Sequence, residues 1–226
     1  MRLILASASP RRAELLRAAG YTFDVVVADV DESIRPGESP SAYVRRLAAE
    51  KSAAVIAALK GRATLSPHVG TDPLSHVGAG PLLHVGADPR VGPGGQPADT
   101  VVLGADTAVV VDGEILGKPS DDRDGANMLR RLSGKTHQVL TGVSLRHGAY
   151  EVGRVETTDV VFRALSDEDV AWYVASGEGR DKAGGYAIQG LASRFIQRID
   201  GSYSNVVGLP VACVADLLPE IRQGGA

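Results

Sequence analysis

The segment TVVLGADTAVVVDGEILGKP, residues 100–119, is a run of Val, Leu and Ala that reaches an Asp-Gly pair and then turns polar. The run reads as a strongly apolar strand, and Asp112-Gly113 is the signal of a two-residue hairpin into EILGKP. A second hairpin is predicted around His147-Gly148, between HQVLTGVSL and VGRVETTDVVFRAL. Working outward, SASPRR (residues 7–12) joins a first strand to a helix with Ser9 as N-cap and Pro10 as first helical residue. TFDVVVADVDES reads as a second strand entering an acidic turn, and PSAYVRRLAAEKSAAVIAALKG as a long amphipathic helix that Gly61 stops. Three further helices are predicted: one from about Asp121 capped by Ser120, DEDVAWYVAS capped by Ser166 with Trp172 in the core, and LPVACVADLLPEI. Strands and helices alternate, but with hairpins, so the expected architecture is α/β on a mixed twisted sheet.

Composition bounds the function classes. With 226 residues, 44% hydrophobic, 23% charged and a net charge of −3, the chain reads as an ordinary globular domain with no general attraction for nucleic acid or anionic membranes. No run approaches the roughly 20 apolar residues of a membrane span. The apolar start LILASA is cut short by Pro10, Arg11 and Arg12, unlike a signal peptide, and the single cysteine, Cys213, cannot form an internal disulfide. A reduced, cytoplasmic protein is expected. Residues 62–98 interrupt the domain with three eight-residue units, PHVGTDPL, SHVGAGPL and LHVGADPR, which carry His68, His76 and His84 in register. Their Gly and Pro content, the lack of Cys and the presence of only Asp72 and Asp88 as carboxylates favour a flexible insertion over a metal site.

Asp106 interrupts the apolar strand, and an unpaired buried carboxylate costs several kcal/mol, so it requires a cation, a metal or a proton. Counting back from the Asp112-Gly113 turn sets Thr107 opposite Lys118 and Asp106 opposite Pro119, which returns Lys118 beside Asp106. Lys51 falls one turn after Leu47 and one before Val55, on the inward face of its helix, or snorkels from that face's edge. Asp29, Asp31 and Glu32 end the second strand, and one of them with Asp106 would make an oxygen site for Mg²⁺ or Mn²⁺. Arg11 and Arg12 stand in a first helical turn, where the helix dipole disfavours cations unless they face an anion with the helix end. Two arginines, two lysines and two carboxylates suit a polyphosphate with its metal. SGKT, residues 133–136, is not a phosphate loop, because Leu129 stands where the motif needs Gly and the order is helix then strand.

SASPRR, DVDES, the Lys51 helix, GADTAVVVDGEILGKP, HQVLTGVSL, DKAGGYAIQG and GSYSNVVGLP, in this order, resemble the Maf family of nucleoside triphosphate pyrophosphatases. The resemblance implies an elongated two-lobed α/β fold like that of inosine triphosphate pyrophosphatases, with a cleft between the lobes, a divalent metal and commonly a homodimer. It implies hydrolysis of a nucleoside triphosphate to monophosphate and pyrophosphate. Carried over, Asp106 matches the proton acceptor, Arg11, Thr107 and Gln189 match positions associated with substrate choice, and Ser7, Arg12, Glu32, Lys51 and Lys118 match polar cleft positions. On this basis the metal is assigned to Glu32 and Asp106. The loop DKAGGYAIQG is similar to the branch acting on dTTP and UTP, and the Gln189 amide can both donate and accept, as a uracil or thymine edge requires. Arg11 is expected nearest the specificity-determining part of the substrate, and Arg12 as a phosphate clamp. Inosine, xanthosine or methylated nucleotides as substrates, or a nucleotide-binding regulator of cell division, are the rival readings.

Overall fold

The structure, a computed structural model, describes residues 1–63, 85–86 and 100–224. Its strands are β1 (Arg2–Ala6), β2 (Asp24–Val26), β3 (Val85–Gly86), β4 (Thr100–Val111), β5 (Glu114–Leu116), β6 (Thr136–His147), β7 (Tyr150–Phe162) and β8 (Ile196–Asp200). The helices are α1 (Pro10–Ala18), α2 (Pro40–Ala63), α3 (Asp122–Leu132), α4 (Asp167–Ser176), α5 (Tyr203–Val207) and α6 (Val211–Gly224). The strands form one mixed sheet in the order β3-β2-β1-β4-β6-β7-β8, with β5 paired to β4. β1 runs parallel to both β2 and β4, and β4, β6, β7 and β8 are successively antiparallel. The expected α/β fold on a mixed sheet is therefore present. Both predicted hairpins form, and Asp112 and Gly113 take φ of 53° and 80°, the left-handed pair a two-residue turn requires.

Period two gives β4 two distinct faces. On one, Leu103 and Ala105 pack with Leu16, Leu209 and Leu217. Farther along the same face, Val109 and Val111 pack with Leu129, Phe162, Tyr173 and Phe195. Thr107 lies between these two cores along the strand. On the other face, Val102 packs with Val55 and Ala108 with Val44, both from α2. No helix among the described residues is long and apolar enough to cross a membrane.

Several local expectations need correction. α2 passes through Gly61 to Ala63, since a single Gly weakens a helix by only about 1 kcal/mol and does not oblige it to end. The cap of α3 is Asp121, whose carboxylate accepts from the Asp124 amide, and Ser120 instead donates to the Asp124 side chain. Trp172 is 39% exposed, with the Arg194 guanidinium 4.4 Å from its ring centroid, and does not belong to the core. β2 is only three residues long. Within the predicted insertion, Val85–Gly86 pairs antiparallel with Val25 and Val26. His68, His76, His84, Asp72 and Asp88 lie outside the described residues.

Candidate active site

A gap in strand pairing creates the site. β6 pairs with β4 from Val101 to Val110, which leaves β1 and β5 to share the opposite edge. β1 ends at Ala6 opposite Gly104, and β5 begins to pair only at Val109. Residues 105–108 therefore have an unpaired edge at the carboxyl end of a parallel strand, the place where open α/β sheets receive ligands. Asp106 and Thr107 lie in that gap and point to opposite faces.

On the α2 face, close packing sets the distance. A Cβ on Gly104 would lie 2.1 Å from the Ala48 carbonyl oxygen, and one on Gly142 would lie 2.2 Å from the Val44 carbonyl oxygen. Only glycines allow α2 to lie so near the sheet, and one turn along the helix Lys51 meets Asp106. Its Nζ donates to Asp106 Oδ1 at 2.6 Å and forms an ion pair with Glu32 Oε1 at 2.7 Å. Lys51 and Asp106 are both buried, at 9% and 8% exposure, so the inward reading of Lys51 holds. Burial raises the Glu32 pKa, but the hydrogen bond and charge of Lys51, with Lys118 and Arg12, outweigh it and hold Glu32 below the ordinary range.

The acidic turn is fixed by its backbone. Tyr43 donates to the Glu32 carbonyl at 3.0 Å, and Arg46 donates to the Ser33 carbonyl at 2.9 Å. Arg46 is itself held by both oxygens of Glu38, at 2.6 and 2.8 Å, and by Glu50 at 3.1 Å. Asp31 is turned to the Ser33 amide and hydroxyl, which leaves Glu32 as the member of the acidic run that reaches Lys51. Nearby charge shows in Tyr43, whose phenol is pushed up to about 12 by burial and by Asp106 and Glu32. The hydrogen bond from Arg46 holds the Glu38 carboxyl at about 2, against 4.5 ordinarily. A depressed carboxylate stabilises the fold above its unfolded pKa and stops doing so as pH falls through the folded one. The melting-temperature deficit of Glu38→Gln should accordingly be full at pH 6 and shrink as pH falls from about 4.5 towards about 2; a deficit independent of pH would contradict this coupling.

On the opposite face, Arg12 ties the start of α1 to the sheet. Its guanidinium donates to the Gly208 carbonyl (2.7 Å), the Ala105 carbonyl (2.9 Å), Thr107 Oγ1 (3.0 Å) and Ser7 Oγ (3.1 Å). Four of the five N–H groups of an arginine are thus committed to the protein. Burial lowers its pKa, and the charges of Asp106 and Glu32 oppose that shift. Thr107 accepts from Arg12 and lies 2.9 Å from Thr141 Oγ1, which in turn donates to the Asn205 carbonyl. Ser9 sits at the N-cap without a side-chain cap bond, and its amide donates to Ser7 Oγ.

Lys118 is the one site residue whose placement differs from the hairpin count. The β4–β5 ladder runs only from Val111–Glu114 to Val109–Leu116, so Thr107–Lys118 and Asp106–Pro119 do not pair. The Gly117 carbonyl instead accepts from the Gly184 amide of the DKAGGYAIQG loop, which draws the chain off β4. Lys118 is exposed, and its charge still acts on Glu32. Arg11 is half-buried and Gln189 exposed, with no hydrogen bond from either side chain among the described residues. The charge of Arg11 acts on the Tyr173 phenol, beside the Gln189 loop.

Glu32 and Asp106 fit a divalent metal of the Mg²⁺ type. Each uses one oxygen on Lys51, and the other has no hydrogen-bond partner among the described residues. No group of three or more His, Cys, Asp or Glu side chains able to hold a metal occurs there. Two carboxylates completed by substrate phosphates is the arrangement such a cation accepts. Tyr43, Arg46 and the glycines of the close approach escaped sequence reasoning because they act on backbone atoms of other segments, and Glu38 because it acts through Arg46.

An open α/β sheet with cations and two carboxylates converging at the carboxyl ends of parallel strands defines a binding protein or enzyme for phosphorylated small molecules. The family described as Maf-like protein matches residues 2–221, and the chain belongs to it. It is 45% identical over 221 residues to a dTTP/UTP pyrophosphatase of Anaeromyxobacter dehalogenans, an alignment covering 96% of this chain and 92% of that protein. A dTTP/UTP pyrophosphatase of Hahella chejuensis is 45% identical over 97% of this chain and 92% of its own length. One of Escherichia coli O157:H7 is 44% identical over 96% and 91%.

Proposed function

We infer that this chain hydrolyses dTTP and UTP to the nucleoside monophosphate and pyrophosphate. The observation that carries the reading is the Lys51 ammonium bonded to Asp106 and Glu32, with the positive charges of Lys118 and Arg12 also acting on Glu32. The names of the relatives supply the base. Glu32 and Asp106 would hold a divalent cation, Mg²⁺ or Mn²⁺, which supplies charge neutralisation at the phosphates. Lys51 and Lys118 add positive charge around the triphosphate, and Arg12, with one free N–H, fixes the Ser7 turn against which the phosphates lie. Asp106 takes a proton from a water that attacks the α-phosphorus, the bond to the bridging oxygen breaks, and pyrophosphate leaves with the electron pair. Arg11 and Gln189 stand free to meet the nucleoside.

A panel of UTP, dTTP, CTP, ATP, GTP, ITP and XTP, assayed for pyrophosphate release with Mg²⁺ or Mn²⁺, tests the reading. UTP and dTTP should give the highest kcat/KM. A preference for ITP, XTP or another base would overturn the base assignment, and tight triphosphate binding without release would overturn the reaction itself and favour a regulator.

A further inference from the structure

Gln189 is exposed at the tip of a loop, yet the backbone on either side of it is gripped by one pair of side chains. Before it, the Ala187 amide donates to Tyr173 Oη at 3.3 Å. After it, the Leu191 amide donates to Glu178 Oε2 at 2.9 Å, and the Ala192 amide approaches Glu178 Oε1 at 3.5 Å. The two anchors are one unit, because Tyr173 Oη donates to Glu178 Oε1 at 2.9 Å. Tyr173 is 1% exposed on α4, so the unit is seated in a core. Gly190 completes it: a Cβ there would lie 2.2 Å from Glu178 Oε2, so the carboxylate fills the space a side chain would need. A second tether joins the same loop to the sheet through the buried Tyr186 hydroxyl, 2.8 Å from His137 Nε2.

We propose that Glu178, through Tyr173 and the backbone around Gln189, is the positioning residue that sets base selectivity. The inference rests on the reading of Gln189 as the contact to the base. The hydrogen-bonding edge of a purine lies farther from its sugar than that of a pyrimidine, so an amide held at one place fits one class and not the other. A loop free to move would accept both. Glu178 does not meet the substrate, and the triphosphate groups on β4 and α2 do not depend on it.

The test compares kcat/KM for UTP with that for ATP in Gln189→Ala, Glu178→Ala, Glu178→Gln and Gly190→Ala. Glu178→Ala should lower the UTP-to-ATP ratio at least tenfold, through a higher KM for UTP with kcat within about threefold of the parent. Gly190→Ala reaches the same contact independently, since φ at Gly190 is −114° and the three atoms nearest the new methyl all belong to the Glu178 carboxylate, and it should move the ratio the same way. Glu178→Gln keeps an oxygen for Leu191 and should preserve most of the ratio; a Gln variant as unselective as the Ala variant counts against loop holding as the cause. Equal losses of kcat on both nucleotides, or an unchanged ratio in Glu178→Ala and Gly190→Ala while Gln189→Ala collapses it, would overturn the proposal alone. An unchanged ratio in Gln189→Ala would overturn the base contact and this inference with it.

Discussion

Asp106→Asn should fold and yet lose pyrophosphate release by roughly 10²–10⁴-fold, the range that a positioned general base contributes. The fold should survive because asparagine is nearly isosteric and its amide oxygen can still accept from Lys51. The ammonium also retains Glu32 at 2.7 Å, so no buried charge is left without a partner. Arg12 keeps its bonds to Ser7, Thr107 and the two backbone carbonyls, so the opposite face of β4 is untouched. The melting temperature should therefore stay within a few degrees of the parent. Two roles are assigned to Asp106, and they separate experimentally. If its contribution were only to hold the metal, a large excess of Mn²⁺ would restore most of the rate to Asp106→Asn; if it takes the proton, activity stays low at saturating Mn²⁺. Retained turnover in the variant at ordinary metal concentration would remove Asp106 from the mechanism.

The contrast between Asp106 and Glu178 shows what a single sequence makes legible. A carboxylate inside an unbroken apolar strand contradicts the cost of burying charge, and so does a lysine on the inward face of a helix. The contradiction marks both, and they prove to be partners at 2.6 Å. Turn chemistry carries the next step, since Asp112-Gly113 fixed three strand pairs in register. It failed at Lys118 because hydrogen bonding to a loop distant in sequence, Gly184, overrode the extrapolated ladder. Glu178 and Arg46 give no such signal. Each is a charged residue where charged residues are ordinary, and its role is to hold backbone amides or carbonyls that only tertiary structure brings near. Thr107 is an intermediate case: the resemblance marked its position, but only geometry shows its hydroxyl engaged with Arg12 and Thr141. The paired arginines likewise divide, Arg12 buried against the sheet with four N–H groups committed and Arg11 half-buried with no side-chain hydrogen bond among the described residues.

Gly104→Ala should damage stability and catalysis together, for one reason. The new Cβ would lie 2.1 Å from the Ala48 carbonyl oxygen, 2.9 Å from the Ser52 amide nitrogen and 3.2 Å from the Ala48 carbonyl carbon, all backbone atoms of α2. No side chain can rotate away to relieve this, so α2 must move off the sheet by about an ångström. Overpacking of this kind costs typically about 1–3 kcal/mol, and here Gly142 clamps the same helix one turn earlier, against Val44, which opposes the shift. A drop in melting temperature of several degrees follows. Lys51 lies between Ala48 and Ser52 and moves with them, lengthening its 2.6 Å contact with Asp106. A displacement of about 1 Å in such a group costs on the order of 10²-fold in rate. Gly125→Ala is the control: it lies within α3, its added Cβ would meet only Pro119, at 3.6 Å, and it should be neutral or slightly stabilising with full activity. If Gly104→Ala instead keeps its activity while losing stability, the closeness of α2 serves packing alone, and the placement of Lys51 on Asp106 does not depend on it.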